Sequence, residues 1–237
     1  PGTSFVLKVL RPLKNDSTVM EFKLTRKNIR TNPVPYYGMV KDSIGYLALS
    51  SFTENSAKDF KKAFIELKQK GAKSLIIDLR DNGGGSLSEA VDIVNLYVPK
   101  GQEIVVTKGK VRQAQGSYKT QNEPVDTQIP LAVLVNGATA SASEIVSGSL
   151  QDLDRAVVIG SRTFGKGLVQ TIRPLPYNGT LKVTTSKYYI PSGRCIQAID
   201  YAKKNADGSV ARTPDSLTTV FYTAAGREVR DGGGIRP

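Results

Sequence analysis

Leu131-Ala-Val-Leu-Val135-Asn-Gly-Ala-Thr-Ala140-Ser141-Ala-Ser-Glu144 is the stretch that decides how this chain folds. Five consecutive apolar residues read as a buried strand, and a run of small residues follows as a tight turn. Ser141, with Glu144 three positions on, opens a helix expected to run to about Leu150. The same order of strand, turn and helix occurs upstream. Ser74-Leu-Ile-Ile-Asp-Leu79 is an apolar strand and Arg80-Asp-Asn-Gly-Gly-Gly85 a glycine turn, with Leu87, Ala90, Val91 and Val94 as the inward face of a helix. Residues 46–49 and 156–159 add two strands. Phe60, Ala63, Phe64 and Leu67 share one face of a further helix, expected to be capped by Ser56 and to end at Gly71. Strands alternating with helices imply an α/β core.

The flanks read differently. In residues 1–30, apolar and polar positions alternate twice, through Phe5, Leu7 and Val9 and then Val19, Phe22 and Leu24, around Asn15-Asp16-Ser17. That pattern predicts two strands and a turn, which as a lone hairpin is marginal in water and should belong to a larger sheet. Asn32-Pro-Val-Pro35 then breaks the chain. Residues 108–128 read as a polar stretch. Beyond residue 167 the pattern turns β-like, with apolar runs at 168–172 and 181–185 flanking Tyr177-Asn-Gly179, a hairpin turn signal. Asp231-Gly-Gly-Gly-Ile235 reads as a loop. The chain begins at Pro1, without an initiator Met, a basic leader or an apolar h-region, which reads as a processed or excised product.

Composition narrows the chemistry. Hydrophobic residues at 39% and charged residues at 23% describe a globular protein, and no apolar run reaches the roughly 18 residues of a membrane span. Thirty-three Lys and Arg against 21 Asp and Glu leave a formal charge of +12. The cations are scattered, as in Lys58, Lys61, Lys62, Lys68, Lys70 and Lys73, where they decorate the solvent face of a helix and its exit. No nucleic-acid partner is therefore expected. Cys195 is the sole cysteine, which excludes an intramolecular disulfide and a cysteine metal cage. There is no histidine at all, which excludes Ser-His-Asp, Cys-His and His-ligated zinc sites. No metal or cofactor is expected, and a serine nucleophile here needs another base.

Lysine is the natural substitute. Ser141 follows a buried strand and opens a helix, so free helix N-terminal amides would lie beside its hydroxyl, where a developing oxyanion is stabilised. The same residues fit a capping box, with Ser141 as N-cap and Glu144 at N3, and on this motif alone the cap is the simpler reading. Lys166 lies 25 residues downstream between Gly165 and Gly167. A lysine serves as base at neutral pH only where an apolar site brings its pKa from about 10.4 towards 7 or 8. Gln170 can hold such an amine through its side-chain carbonyl. Gly160-Ser-Arg-Thr-Phe-Gly165-Lys166-Gly167 also matches a phosphate-binding loop at every position but the last, where Ser or Thr should bind magnesium. Against this nucleotide hydrolase reading, the residues after Gly167 have strand character. Gly84 and Gly85 are either a tight turn or backbone donors that complete an oxyanion hole with Ala142. Asp152, near the far end of the Ser141 helix, reads first as an exposed carboxylate.

Taken together, Leu79–Gly85, Leu134–Ile145, Gly160–Gln170, Ser186–Gln197 and Asp231–Pro237 resemble, in order, the segments of the C-terminal processing (tail-specific) peptidases, PDZ-containing serine proteases with a Ser-Lys dyad. The resemblance implies a crotonase/Clp-protease-like α/β core with additional β segments, spanning 31–237. It implies that residues 1–30 are the closing strands of a truncated PDZ domain whose peptide groove lies upstream. It implies Ser141 as nucleophile, Lys166 as general base, Gln170 as the residue that orients the lysine, Gly84 or Gly85 with Ala142 as oxyanion hole, and Asp152 as a supporting acid. The implied reaction is hydrolysis of polypeptides with exposed C-terminal tails through an acyl-enzyme, with no metal or cofactor. An extracytoplasmic setting, periplasmic or membrane-associated, goes with it, and leaves room for a homo-oligomer and for a membrane tether outside this sequence. A non-catalytic peptide-binding scaffold of the same fold is the alternative.

Overall fold

A computed structural model describes residues 1–14, 16–29 and 31–237, without the side chains of Ala202 and Lys203. Asn15, expected in the first turn, and Arg30, the expected boundary residue, lie outside the described residues. The chain divides into two compact units, Pro1–Asn32 and Pro33–Pro237. The first is a hairpin of β1 (Ser4–Pro12) and β2 (Ser17–Thr25), paired antiparallel. Its register puts Phe5 opposite Leu24, Leu7 opposite Phe22 and Val9 opposite Met20, so the alternation seen in the sequence becomes one apolar face.

The second unit is mixed α/β. Its elements run β3 (Tyr36–Lys41), β4 (Ile44–Ala48), α1 (Ser56–Gln69), β5 (Ser74–Asp78), α2 (Leu87–Val94), β6 (Glu103–Gly109), β7 (Gly116–Lys119), β8 (Leu131–Val135), α3 (Ala142–Asp152) and β9 (Val157–Gly160). Then come β10 (Leu168–Pro174), β11 (Thr180–Tyr189), β12 (Ile199–Lys204), β13 (Val210–Arg212), β14 (Val220–Tyr222) and β15 (Glu228–Arg230). The central sheet has the order β3-β4-β5-β8-β9, parallel from β4 to β9 with β3 antiparallel at one edge. A second sheet, β10-β11-β6-β7, is antiparallel throughout. Neither β3 nor the pair β6 and β7 is among the expected strands, although Ile104-Val-Val-Thr107 of β6 is a β-branched run. Residues 108–119 are polar because β7 is an edge strand with one wet face, and only Ile104, Val105 and Thr107 of β6 are fully buried.

Core burial follows the expected stripes. Phe60, Ala63, Phe64 and Leu67 of α1 are buried, while Lys58, Lys61, Lys62, Lys70 and Lys73 are exposed; Lys68 is half-buried and pairs with Asp126. The cap differs from expectation. Asn55, at φ +69°, is the N-cap of α1, and Ser56 lies inside the helix. The orphan amides are taken by Glu89 of α2, which accepts from Ala57 N at 2.7 Å and Asn55 N at 3.0 Å. A helix start can be satisfied by a carboxylate distant in sequence, which no local pattern reveals.

Helix α3 is buried on every face. Its serines are satisfied internally: Ser143 Oγ donates to Asn82 O at 2.9 Å and Ser147 Oγ to Ser143 O at 2.9 Å. A Cβ on Gly148 would stand 2.6 Å from Cδ1 of fully buried Ile235, so the glycine lets the C-terminal segment pack directly on the helix. That segment has no regular structure at Asp231–Ile235, as expected, but it is anchored: Gln151 Nε2 donates to Arg236 O at 2.6 Å.

Asp152 closes α3 and is 2% exposed, contrary to the exposed carboxylate expected. Its partner is Arg194, 1% exposed, at 2.7 Å, and Ser192 N donates to its second oxygen at 3.0 Å. Arg194 also donates to Gln151 Oε1 at 2.8 Å. Removing one member strands the other charge in the interior, which costs about 3–5 kcal/mol, whereas an exposed pair is worth up to about 1 kcal/mol. Arg194→Met should therefore lower the urea unfolding midpoint by an amount equivalent to about 3–5 kcal/mol. Arg227→Met, breaking the more exposed pair with Asp154, should cost about 1 kcal/mol or less.

Candidate active site

Two turns at the carboxyl ends of β5 and β8 meet. In the first, Asn82 is fully buried, its Nδ2 donating to Leu49 O at 2.7 Å and its Oδ1 accepting from Gly84 N at 2.9 Å. Its carbonyl accepts both Ala140 N, at 3.0 Å, and Ser143 Oγ, which binds the Gly84 turn to the start of α3. Asn136 adds a reciprocal pair with Asp81, and Thr139 Oγ1 reaches Leu79 O at 2.8 Å. Gly84, at φ +96°, fits because it lacks a side chain: a Cβ there would lie 2.7 Å from Ser141 Cβ and 2.8 Å from Ala142 N.

Ser141 itself has φ +59° and ψ −117°, a sparsely populated conformation for any residue but glycine. An N-cap serine normally sits in the extended region, so capping does not require this backbone. Ser141 and Glu144 are arranged as a capping box, but only its glutamate half is a well-formed hydrogen bond, from Ser141 N to Glu144 Oε2 at 2.8 Å. Glu144 N donates instead to the Ser141 carbonyl, also at 2.8 Å.

A cavity of about 360 Å³ opens over this turn. Ser141, Ala142, Lys166, Gln170 and Gly85 all line it, with Leu87, Ile145, Leu168 and Val169 supplying apolar wall. The five are thus brought together from three separate parts of the chain. Gly84 stands behind Ser141 and Ala142 outside the lining, and its N–H is committed to Asn82. Asp152 is not brought to the cavity; Arg194 holds it at the other end of α3. Gln170 lies on exposed β10, opposite Thr184. Lys166 and Gln170 also face a neighbouring hollow of about 560 Å³ with Phe164, Gln197 and Tyr201.

Four residues hold the Lys166 loop, three of them passed over in the sequence and Glu144 read there only as a cap. Glu144 is fully buried and takes donors from 163–166 as well as from Ser141. Burial is the main influence on its carboxyl and raises its pKa, opposed by these hydrogen bonds. Thr163 Oγ1 donates to Glu144 Oε1 at 2.5 Å and accepts Ile235 N at 2.7 Å. Tyr188 Oη donates to Lys166 O at 2.5 Å and lies 3.2 Å from Ser141 O. Gln197 Oε1 accepts Gly167 N at 2.7 Å. All four belong to the segments that carry the family resemblance, which was the available signal, although spacing alone assigned them no contact.

The phosphate-loop reading of Gly160–Gly167 is overturned. Strand β10 follows Gly167 directly, where a nucleotide loop needs a helix N-terminus to hold phosphate. Among the described residues, no three Cys, Asp or Glu side chains are gathered to hold a metal ion.

Gly84→Ala should cost about 1–3 kcal/mol, from its left-handed backbone and its contact with Ser141. Gly83→Ala, with no neighbouring heavy atom within 4 Å of the added methyl, should stay within about 0.5 kcal/mol. Paired urea denaturation curves measure both.

Residues 43–203 match the profile described as Peptidase family S41. A carboxy-terminal-processing protease of Bartonella bacilliformis is 41% identical over 184 residues, covering 76% of this chain and 42% of that protein. A chloroplastic C-terminal processing peptidase of Tetradesmus obliquus is 32% identical over 215 residues, covering 86% and 45%. The solved structure of a photosystem II D1 C-terminal processing protease superposes with a TM-score of 0.62 at 33% identity, over 76% of this chain and 49% of that one. The chain spans less than half the length of each of these relatives. Its mixed α/β core, the order of its motifs and the match over residues 43–203 make this chain a member of Peptidase family S41.

Proposed function

We propose that this chain is the catalytic core of a serine endopeptidase that cleaves polypeptides near exposed C-terminal tails. The observation that carries the reading is the strained backbone of Ser141 at the floor of a cavity that it shares with Lys166. Strain of about 1–3 kcal/mol at a single polar residue is what a site built to present a hydroxyl requires, and a helix cap does not.

In this reading the Lys166 amine takes the Ser141 hydroxyl proton as Oγ attacks the scissile carbonyl. Gln170 orients the amine. The negative charge on the tetrahedral intermediate is met by backbone N–H groups. Ala142 supplies one from the first turn of α3. Gly85 is the better second donor, because the Gly84 amide is spent on Asn82. Collapse expels the amine product, protonated by the lysine ammonium, and leaves an acyl-enzyme that water hydrolyses. No step calls on a metal or cofactor. The apolar wall formed by Leu87, Ile145, Leu168 and Val169 suits an uncharged side chain beside the cleaved bond.

Two further features belong to the same proposal. Residues 1–30 are the closing strands of a PDZ domain that presents substrate tails to the core at 31–237. The enzyme works outside the cytoplasm, as its likeness to processing proteases suggests. Among the described residues no helix is long and apolar enough to cross a membrane.

A fluorophosphonate probe should label the chain at Ser141, located by peptide mass mapping. Ser141→Ala and Lys166→Ala should each reduce labelling and casein cleavage by about 10³-fold or more, with urea midpoints close to the parent. Undiminished cleavage in either variant would refute the assignment, and a core that never labels favours the non-catalytic scaffold.

A further inference from the structure

We propose that Glu144 is a positioning residue that sets the separation of Ser141 and Lys166, and that only a carboxylate accepting four hydrogen bonds can do this. The inference rests on the Ser141–Lys166 reading of the site. Its geometry is distributed over two oxygens. Oε2 accepts Ser141 N and Lys166 N, each at 2.8 Å. Oε1 accepts Thr163 Oγ1 at 2.5 Å and Gly165 N at 2.7 Å. The residue is 0% exposed. Two backbone amides 25 positions apart in sequence, those of the proposed nucleophile and base, therefore converge on one oxygen atom.

A capping box accounts for one of these bonds, the return from Glu144 to Ser141 N. The other three come from the loop before β10, and a helix cap has no use for them. They follow from the needs of that loop: 163–166 is irregular, has no strand partner, and must present Lys166 at a defined place. Burying its amides without acceptors would cost about 1–3 kcal/mol each. Glu144 accepts those of Gly165 and Lys166 and connects them to the turn that carries Ser141.

The requirement for charge follows from counting lone pairs. An ionised carboxylate has about four acceptor sites, and all four donors find one. A carboxamide keeps two of those sites on its single oxygen and replaces the other two with N–H donors. Whichever way a glutamine is turned, its NH₂ group meets at least one fixed donor. With the oxygen at the Oε2 position, the amide nitrogen faces the Gly165 N–H and a Thr163 hydroxyl that must turn round to accept; flipped, it faces the N–H groups of both Ser141 and Lys166. A substitution that preserves shape therefore breaks the junction, on one side or the other. Tyr188, bonded to the Lys166 carbonyl from β11, and Gln197, bonded to Gly167, still hold the loop to the fold, so its failure takes the form of a misplaced lysine. A displacement of about 1 Å at a reacting pair is enough to lose about 10²-fold in rate.

The test compares the parent, Ser141→Ala, Glu144→Gln, Thr163→Val and Thr163→Ser by rate of fluorophosphonate labelling and by kcat and KM on casein. Urea midpoints report folding. Glu144→Gln should slow labelling about 10²-fold and lower kcat by a similar factor, with KM within about threefold of the parent. Thr163→Val removes one of the four donors and should slow labelling about tenfold; Thr163→Ser keeps the hydroxyl and should recover most of the rate. A parent that labels at Ser141 while Glu144→Gln labels within threefold of it overturns the positioning role alone. A parent that does not label at Ser141 removes the reading of the site and the positioning role with it. If Glu144→Gln does not fold, the threonine pair decides: Val and Ser variants with equal rates overturn the proposal.

Discussion

The site of this protein is organised around a single buried carboxyl group. Among the described residues Glu144 has no ion-pair partner, an expensive arrangement unless every acceptor site is used. Its four donors meet that condition, and they come from the start of α3 and from the loop before β10. Because the carboxylate cannot be released into water without exposing those donors, the two segments are held as one body. Thr163 extends the junction to Ile235, and Asn82 extends it to the glycine turn after β5. Ser141 is thereby held in a backbone conformation that it would otherwise abandon.

A second buried carboxyl group closes the other end of α3. Asp152 and Arg194 neutralise each other there, with Gln151 and the Ser192 amide absorbing further hydrogen-bonding capacity. The helix is thus fixed at both ends by carboxylates that the sequence places 8 residues apart. They differ in what they bind. One holds backbone amides at the cavity, the other an arginine on the far side. The resemblance assigned Asp152 a supporting chemical role, and its position fits a structural one, since it tethers the loop at 190–194 that leads to Cys195 and Gln197. Buried ion pairs contribute less to net stability than their Coulomb energy implies, but losing one partner is costly. That asymmetry makes the pair a constraint on how α3 and this loop pack.

Much of the α/β core was legible. The apolar runs at 74–79 and 131–135 are β5 and β8, adjacent and parallel, and the stripes on α1 and α2 are the faces that pack inward. The hairpin signalled by Tyr177-Asn-Gly179 does join β10 to β11, but its left-handed pair is Tyr177-Asn178, one position before the Asn-Gly that such a turn favours. The remaining parts have separate causes. β3 and β7 are edge strands, where polar residues dilute the period of two, whereas β6 carries the β-branched run Ile104-Val-Val106, a strand signal that was left unread. The cap of α1 is supplied by Glu89, from the next helix, so its local sequence pointed to Ser56 instead. Glu144 was visible only as the N3 residue of a capping box, because three of its four bonds cross at least 19 residues.

By itself, the sequence determined which chemistry was open to this protein. Without histidine and with a single cysteine, it excluded Ser-His-Asp, Cys-His and His-ligated zinc sites within this chain, and the order of its motifs pointed to the family. Residue types and their periodicity are local properties that survive in any conformation, so they can be read before folding. Tertiary structure alone decided that Ser141, Lys166 and Gly85 face one cavity, that Gly84 spends its amide elsewhere, and that Asp152 belongs to a different end of the helix. These outcomes depend on hydrogen bonds between segments tens of residues apart. Such bonds form only once burial has removed water as the competing partner.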